Sequence, residues 1–319
     1  MKIFIVIKAY VATINKLIRR HALFRAWPVF MKALFEYNDI LLAPYEAFTD
    51  MSRDGRKSVE PHWHYYTEII YLLSGSALVT TDNHKYQVSA GELVLFFPRA
   101  VHSIELSGSE ELVYYVLKFD INRLNVTNSY TPKLSSVFSA AKDTVSGYFP
   151  LYRISHLELS QLIGDCVREM KNREYGYDLI LHSRISSLLV LLLRVWRSCG
   201  FNIDKISSEK SDDESIYTIT EYIDEHSGEL INIQNLAKMC NMSYSYFARE
   251  FKRLYGRSCK EYIEFIKTCK VENMLMFTDF DLNYISQETG FSDSSHLIKI
   301  FKRQKGITPK QFKKQKNIG

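Results

Sequence analysis

Three stretches of the chain carry three different hydrophobic patterns. Between about residues 36 and 120, short apolar runs rich in Ile, Val, Tyr and Phe stand apart: Ile69 to Leu73, Ala77 to Thr81, Leu93 to Phe97 and Leu112 to Phe119. They are separated by Ser74-Gly75, Asp82-Asn83, Ala90-Gly91 and Ser107-Gly108. Runs of this length between turn-forming pairs predict strands, and their regular spacing predicts a sandwich or barrel. From about Thr131 the period lengthens to that of a helix. Leu157, Leu159, Leu162, Ile163 and Val167 recur at helical spacing, then Leu181, Ile185, Leu188, Leu189, Leu192 and Trp196. The second stripe is wider than one buried face needs, so it suits monomer core and a partner subunit equally. Asn202 to Ser215 is polar and predicts a linker. Beyond it the pattern is helical to the end.

Composition narrows this picture. A chain of 319 residues with 46% hydrophobic and 24% charged residues can fill two cores, which excludes disorder and fibrous repeats. The net charge of +5 is unevenly spread: Ile231 to Gly319 holds 16 Lys+Arg against 8 Asp+Glu, leaving the rest slightly acidic. A basic C-terminal block is the asymmetry expected where one part meets a polyanion. Five cysteines (Cys166, Cys199, Cys240, Cys259, Cys269) form no CxxC pair, so neither a disulfide framework nor a zinc finger is expected. The run Ile3 to Ile7 is cut short by Lys8, without a cleavage site after it, and Leu188 to Val195 is flanked by Arg184, Arg194 and Arg197. Neither reads as a membrane span, and the chain is expected in the cytoplasm. Residues 1–33 are read as an N-terminal extension, with an amphipathic helix suggested by Ile14, Leu17, Ile18, His21, Leu23 and Phe24.

The C-terminal block repeats itself at an offset of about fifty residues. Ile233-x-x-Leu236-Ala237 returns as Leu282-x-x-Ile285-Ser286, and Phe251-Lys252-Arg253-x-x-Gly256 as Phe301-Lys302-Arg303-x-x-Gly306. Each copy meets the needs of a helix-turn-helix. A small residue sits where two helices cross (Ala237, Ser286), and four residues later comes one that tolerates positive φ (Asn241, Gly290). An N-cap follows, Ser243 in the first copy and Ser292 or Asp293 in the second. The next helix has an apolar inner face (Phe247 and Phe251, or Leu297 and Phe301). Its outer face is polar and basic: Tyr244, Ser245, Arg249 and Lys252 in one copy, Ser294, Ser295, Lys299 and Lys302 in the other. A recognition helix for the major groove of double-stranded DNA is laid out this way. The helix between the copies is expected from about Cys259 to Thr278, long enough to hold the recognition helices about one duplex turn apart.

With Gly290-Phe291-Ser292-Asp293-x-Ser295-His296-Leu297 and Phe301-Lys302-Arg303-x-x-Gly306-Ile307-Thr308-Pro309, this block resembles the AraC/XylS family of bacterial regulators. Ser286 departs from the family's usual Ala, Lys267 from its usual Arg, and Ile298 takes an outward position that is often polar. Ile298 could therefore read a thymine methyl, or the second unit could mainly touch backbone. The resemblance implies a ligand-responsive transcription regulator, a homodimer, that binds DNA and contacts RNA polymerase if it activates.

In the strand region, His62-x-His64 places two imidazoles on one side if both lie on a strand, and Glu68 and His102 complete a set of three histidines and a carboxylate. That set suits Fe, Mn, Zn or Ni, and the pattern resembles the paired motifs of the cupin barrel. Two readings stay open: a metal site, or an effector pocket formed by His62, His64, Glu68, Tyr71 and His102. Resemblance to the family favours an organic effector without a metal cofactor, a sugar among the candidates, with Trp63, Tyr65, Tyr66 and Tyr71 as stacking surfaces. A metal-dependent cupin enzyme, a metal sensor with an accessory DNA-binding region, and a barrel that only dimerises are the alternatives. The expected fold is multidomain α+β. A cupin-like barrel (34–125) is followed by a helical, dimerising region (126–201), a linker (202–215) and an all-α domain of two helix-turn-helix units joined by a long helix (216–319).

Overall fold

The computed structural model describes residues 45–52, 59–81, 84–108, 111–121, 124, 134–142, 144–203 and 212–316. The expected N-terminal extension and the first residues assigned to the barrel lie outside the described residues.

The strand region forms two facing antiparallel sheets. One runs β1 (Tyr45–Ser52), β8 (Leu112–Phe119), β3 (Thr67–Ser74), β6 (Leu93–Phe96) and β9 (Tyr148–Phe149) from edge to edge. The other runs β2 (Val59–His62), β7 (His102–Leu106), β4 (Ser76–Thr81) and β5 (His84–Ser89). In β3, Ile70 and Leu72 point inward to join Val79, Val88, Phe96 and Ile104 between the sheets. Ile69 points the other way, with Leu93, Leu95, Leu117 and Phe119, onto helices. The five-stranded sheet is thus covered on both faces, which is why Ile69 to Leu72 and Leu93 to Phe96 are continuous apolar runs and not alternating ones.

The helices on the outer face are α1 (Leu134–Ala141), the short α2 (Leu151–Ile154), α3 (Leu159–Asn172) and α4 (Tyr177–Ser198). The expected all-helical region is interrupted by β9, whose two residues extend the sheet at Leu93 and Val94. The wide stripe of α4 is taken up within the chain: Leu181, Ile185, Leu188, Leu189, Leu192 and Trp196 are all buried in the core they share with the sheet. By length and composition α4 could cross a membrane, yet its apolar face is already covered by the protein's own core. The five cysteines are free thiols, and burial pushes Cys166 and Cys259 up to about 12, keeping them protonated and unreactive.

Of the expected linker, residues 204–211 lie outside the described set, and its last four residues already begin α5 (Asp212–Glu225). Next come α6 (Ile233–Met239), α7 (Tyr244–Tyr255), α8 (Cys259–Phe277), α9 (Leu282–Glu288), α10 (Ser294–Lys305) and α11 (Pro309–Lys316). The first repeat fills one core with Ile216, Ile219, Leu236, Phe247 and Phe251; the second fills another with Ile285, Phe291, Leu297 and Phe301. The connecting helix α8 belongs to both. Tyr262, Phe265 and Ile266 enter the first core, while Val271 and Leu275 enter the second. A Ser258/Glu261 capping box fixes its start.

Candidate functional site

Each repeat folds as its sequence predicts. Asn241 adopts a φ of 56° and Gly290 one of 71° at the turns. At Gly290 a side chain is doubly excluded, since a Cβ would lie 2.6 Å from the Ser227 carbonyl oxygen. Ser243 caps α7 by accepting from the Tyr246 amide, and of the two candidates in the second copy it is Asp293 that caps α10, accepting from the His296 amide. Ser286 is buried at the helix crossing, its hydroxyl satisfied by donating to the Asn283 carbonyl at 2.7 Å. Lys267 ties the second turn down: its buried ammonium donates to the carbonyls of Glu229 and Gly290.

The outer faces of α7 and α10 present the expected groups. Tyr244, Ser245, Arg249, Lys252, Ser295, Lys299 and Lys302 are exposed and Ser294 is half-buried. Arg249 lies over the Tyr246 ring and pairs with Glu250, which also holds Arg253. Ile298 is a correction to the sequence reading. It is half-buried against the second core, because it flanks the Leu297–Phe301 stripe, and so is less outward than its place on the helix implies.

The second cluster lies at one end of the barrel. His62, His64, Glu68 and His102 each bring one ligating atom within 4.8 Å of the others; His64, Glu68 and His102 are buried and His62 half-buried. The route differs from the expected one, because β2 ends at His62 and His64 lies beyond it, so strand alternation does not align the two rings. Backbone hydrogen bonds do. His62 Nδ1 donates to Glu60 O at 2.9 Å, His64 Nδ1 to Tyr66 O at 3.1 Å, and His102 Nδ1 to Ala100 O at 2.9 Å. His64 Nε2 lies 2.7 Å from Glu68 Oε2. His102 Nε2 lies 3.4 Å from the same oxygen without making a hydrogen bond. Burial alone would push the Glu68 carboxyl up, but His102, His64 and the Lys118 ammonium 3.7 Å away together hold it well below the usual carboxylate range.

Tyr71 does not belong to this cluster. It sits three residues from Glu68 on the same strand and therefore faces the helices, packed with the outer core. Lys118 is the residue the sequence reading missed. A lone lysine in the apolar run of β8 was the available signal, and the register pairs it directly with Glu68.

The aromatics after His62 serve a contact between the two halves of the chain. Trp63 is buried edge-on to Tyr65. The Tyr65 ring lies against Gly256, the cap of α7 at φ 69°, where a Cβ would overlap it. Arg257 Nη2 donates to the Tyr66 hydroxyl at 3.0 Å. A second contact joins the helical layer to α8: Arg173 pairs with Glu272 at 3.0 Å, and Asn273 donates to Asp178 at 3.1 Å.

Comparison with known proteins bears on both halves. Residues 52–189 match the family described as an AraC-like ligand binding domain, and residues 236–315 match a helix-turn-helix domain. A Bacillus subtilis protein named as the uncharacterized HTH-type transcriptional regulator YbfI is 28% identical over 243 residues, which is 74% of this chain and 80% of its own length. The HTH-type transcriptional activator RhaR of Salmonella dublin is 20% identical over 290 residues, 88% of this chain and 98% of its own. Among solved structures, unsaturated fatty acid bound ToxT from Vibrio cholerae is similar over 84% of this chain and 94% of its own, with 14% identity and a TM-score of 0.38.

Proposed function

The chain belongs to the AraC family of transcription regulators, with an N-terminal ligand-binding domain and a C-terminal DNA-binding domain, and from that premise we propose how its parts divide the work. The recognition helices α7 and α10 enter successive major grooves on one face of a duplex. Ser245, Arg249, Ser295 and Lys299 reach base edges, while Tyr244, Ser294, Lys252 and Lys302 fix register on the backbone. The observation that carries this reading is α8. Its 19 residues span about 28 Å at the helical rise, and its buried side chains enter the first core at one end and the second at the other, so the two reading heads ride on one rigid rod. Arg249 trades its contact with Glu250 for DNA, which confines the change to one exposed side chain.

The ligand-binding domain holds its effector at the end marked by His62, His64, Glu68 and His102, and bound ligand biases how the two units are presented. The bias requires tighter binding to one arrangement than to the other. Homodimerisation uses the outer face of α4, where Leu179 and Ile180 stay exposed, and the protein works in the cytoplasm on DNA, meeting RNA polymerase if it activates. The test is selection of duplexes from a random library by the full chain, followed by footprinting. Protection of two adjacent major grooves on one face is expected; no sequence-selective duplex at all would overturn the reading.

A further inference from the structure

We infer that His62, His64, Glu68 and His102 form a site for one divalent transition-metal ion, and that the ion signals to the first helix-turn-helix unit through Tyr65 and Tyr66. The inference rests on the reading of the barrel as the sensor and names the chemical class of its ligand.

The donor set comes first. Three imidazoles and one carboxylate suit zinc, iron, manganese, nickel or cobalt, whose ligand atoms sit about 3–4 Å apart around the ion. The four candidate atoms already lie within 4.8 Å of one another, so a small inward closure completes the shell. Orientation comes next. Each histidine gives its Nδ1 hydrogen to a backbone carbonyl two residues away, at Glu60, Tyr66 and Ala100. That leaves Nε2 as the ligating nitrogen in all three, the outer-shell arrangement that fixes tautomer and ring plane at metal sites. With its Nδ1 donating to the Tyr66 carbonyl, His64 turns Nε2 toward a carboxylate oxygen at 2.7 Å, a pair that a shared proton bridges in the ion's absence and that a metal ion can bridge in its place. His102 Nε2 is buried 3.4 Å from the same carboxylate oxygen and makes no well-formed hydrogen bond among the described residues. Lys118 supplies counter-charge to Glu68 from 3.7 Å. An arriving dication takes over that role, and the lysine must yield.

Size points the same way. Beyond the cluster, Ile70, Leu72, Val79, Phe96 and Ile104 pack together between the sheets, all buried. Of the aromatics suited to stacking on a sugar, Tyr71 is on the outer face, Trp63 is buried against Tyr65, Tyr65 lies on Gly256, and Tyr66, its ring 6.4 Å from that of His64, has its hydroxyl held by Arg257. An ion fits this end of the barrel better than a ring.

Transmission is short. The Tyr66 carbonyl accepts from the ligand histidine His64, and the Tyr66 hydroxyl accepts from Arg257, one residue past the cap of α7. Tyr65 presses on that cap at Gly256. Closure of the ligands around an ion therefore pulls on the segment that holds the first unit.

The experiment uses the full chain stripped of metal by chelator. Titration with Co²⁺ is expected to give ligand-field absorption bands saturating at one ion per chain, reversed by Zn²⁺. His62→Ala, at a half-buried position, should keep the metal-free melting temperature yet lose Co²⁺ affinity by more than the about 10- to 100-fold typical of an outer-shell loss; Glu68→Gln should behave alike. No stoichiometric Co²⁺, Zn²⁺, Fe²⁺, Mn²⁺ or Ni²⁺ in the wild type, or undiminished binding in His62→Ala, overturns the site. For the coupling, Co²⁺ is expected to change affinity for a duplex selected by the full chain at least about 5-fold. Tyr66→Phe and Arg257→Gln should erase that change while still binding one Co²⁺. Metal binding with unchanged DNA affinity overturns the coupling. Selective DNA binding without metal binding overturns the site but supports the regulator, whereas metal binding without any selective duplex supports the site and overturns the regulator reading.

Discussion

Gly256 and Gly306 occupy the same place in the two repeats, at the cap of a recognition helix, and adopt nearly the same φ of 69° and 76°. Around Gly306 nothing among the described residues comes within 4 Å of the position a Cβ would take, whereas at Gly256 that position is filled by the Tyr65 ring from the barrel. The second unit is instead tied back to the connecting helix, through Arg303 to Glu264 and Lys305 to Glu272. Two copies of one motif have thus been given different duties. The first is met directly by Tyr65 from the barrel; the second is braced on α8, in part at Glu272, which Arg173 of the helical layer also holds. The N-terminal half thus meets the first unit directly at Gly256 and Arg257, and meets α8 at Glu272 and Asn273, where Glu272 also holds Lys305 of the second unit.

The largest test of this asymmetry is removal of each inner anchor. Phe251→Ala and Phe301→Ala each delete a fully buried ring and should destabilise by about 3–5 kcal/mol. Because the cores are separate, hydrogen exchange should show Phe301→Ala opening residues 294–305 while residues 244–255 stay protected. Joint opening in both variants would mean the two units are one cooperative body, and the division of duties would fall.

Next in size is readout. Arg249→Ala is expected to weaken binding to a selected duplex by about 1–3 kcal/mol and to relax sequence preference, while Lys302→Ala should weaken all duplexes alike and lower the salt slope by about one. We expect Lys299→Ala to cost less specificity than Arg249→Ala; the reverse order would move the main reading head to the second unit.

The glycines give the sharpest comparison. Gly256→Ala and Gly306→Ala both place a side chain at positive φ, worth about 1–2 kcal/mol of strain each. Only Gly256→Ala also collides with Tyr65, so its loss of melting temperature should be greater, and Tyr65→Ala in the same chain should remove the excess. Equal losses in the two alanine variants would show that the barrel does not lean on the first unit.

The smallest effect concerns the caps. The Ser243 hydroxyl does not titrate, whereas hydrogen bonds from the His296 amide and Ser292 hold the Asp293 carboxyl below its ordinary value. A lowered folded value means that the cap's stabilisation is full above the unfolded carboxylate value and fades as pH falls through the folded one. Thermal unfolding between pH 6 and pH 3 should therefore show a small acid loss that Asp293→Asn reduces; an unchanged slope in the variant would remove this difference between the units.

Much of the DNA-binding half was legible because its determinants are local. A small residue, a turn residue at positive φ, a cap and an i, i+4 apolar pair lie within fifteen residues, and the fifty-residue repeat states them twice. The half-burial of Ile298 is not legible in the sequence, because the edge of an apolar stripe is graded by what packs beside it, and that is not a local property. In the barrel the runs Ile69 to Leu72 and Leu93 to Phe96 announced strands, but a run buried on both faces does not say which residue looks inward. Tyr71 was grouped with Glu68 although the period of two already separates them.

By itself the sequence determined the two periods, the repeat and the chemistry of the groups at its caps and outer faces, since each depends on residues within a few turns of one another. The tertiary structure alone decided three things. It brought His102 on β7 to His62 and His64 across some forty residues of chain, through the sheet pairing of β2 with β7. It set Lys118 beside Glu68 by strand register, where a shift of one residue would have sent the lysine to the opposite face. And it laid Tyr65 on Gly256 and not on Gly306, a choice between two nearly identical local sites that only the packing of one half of the chain on the other can make.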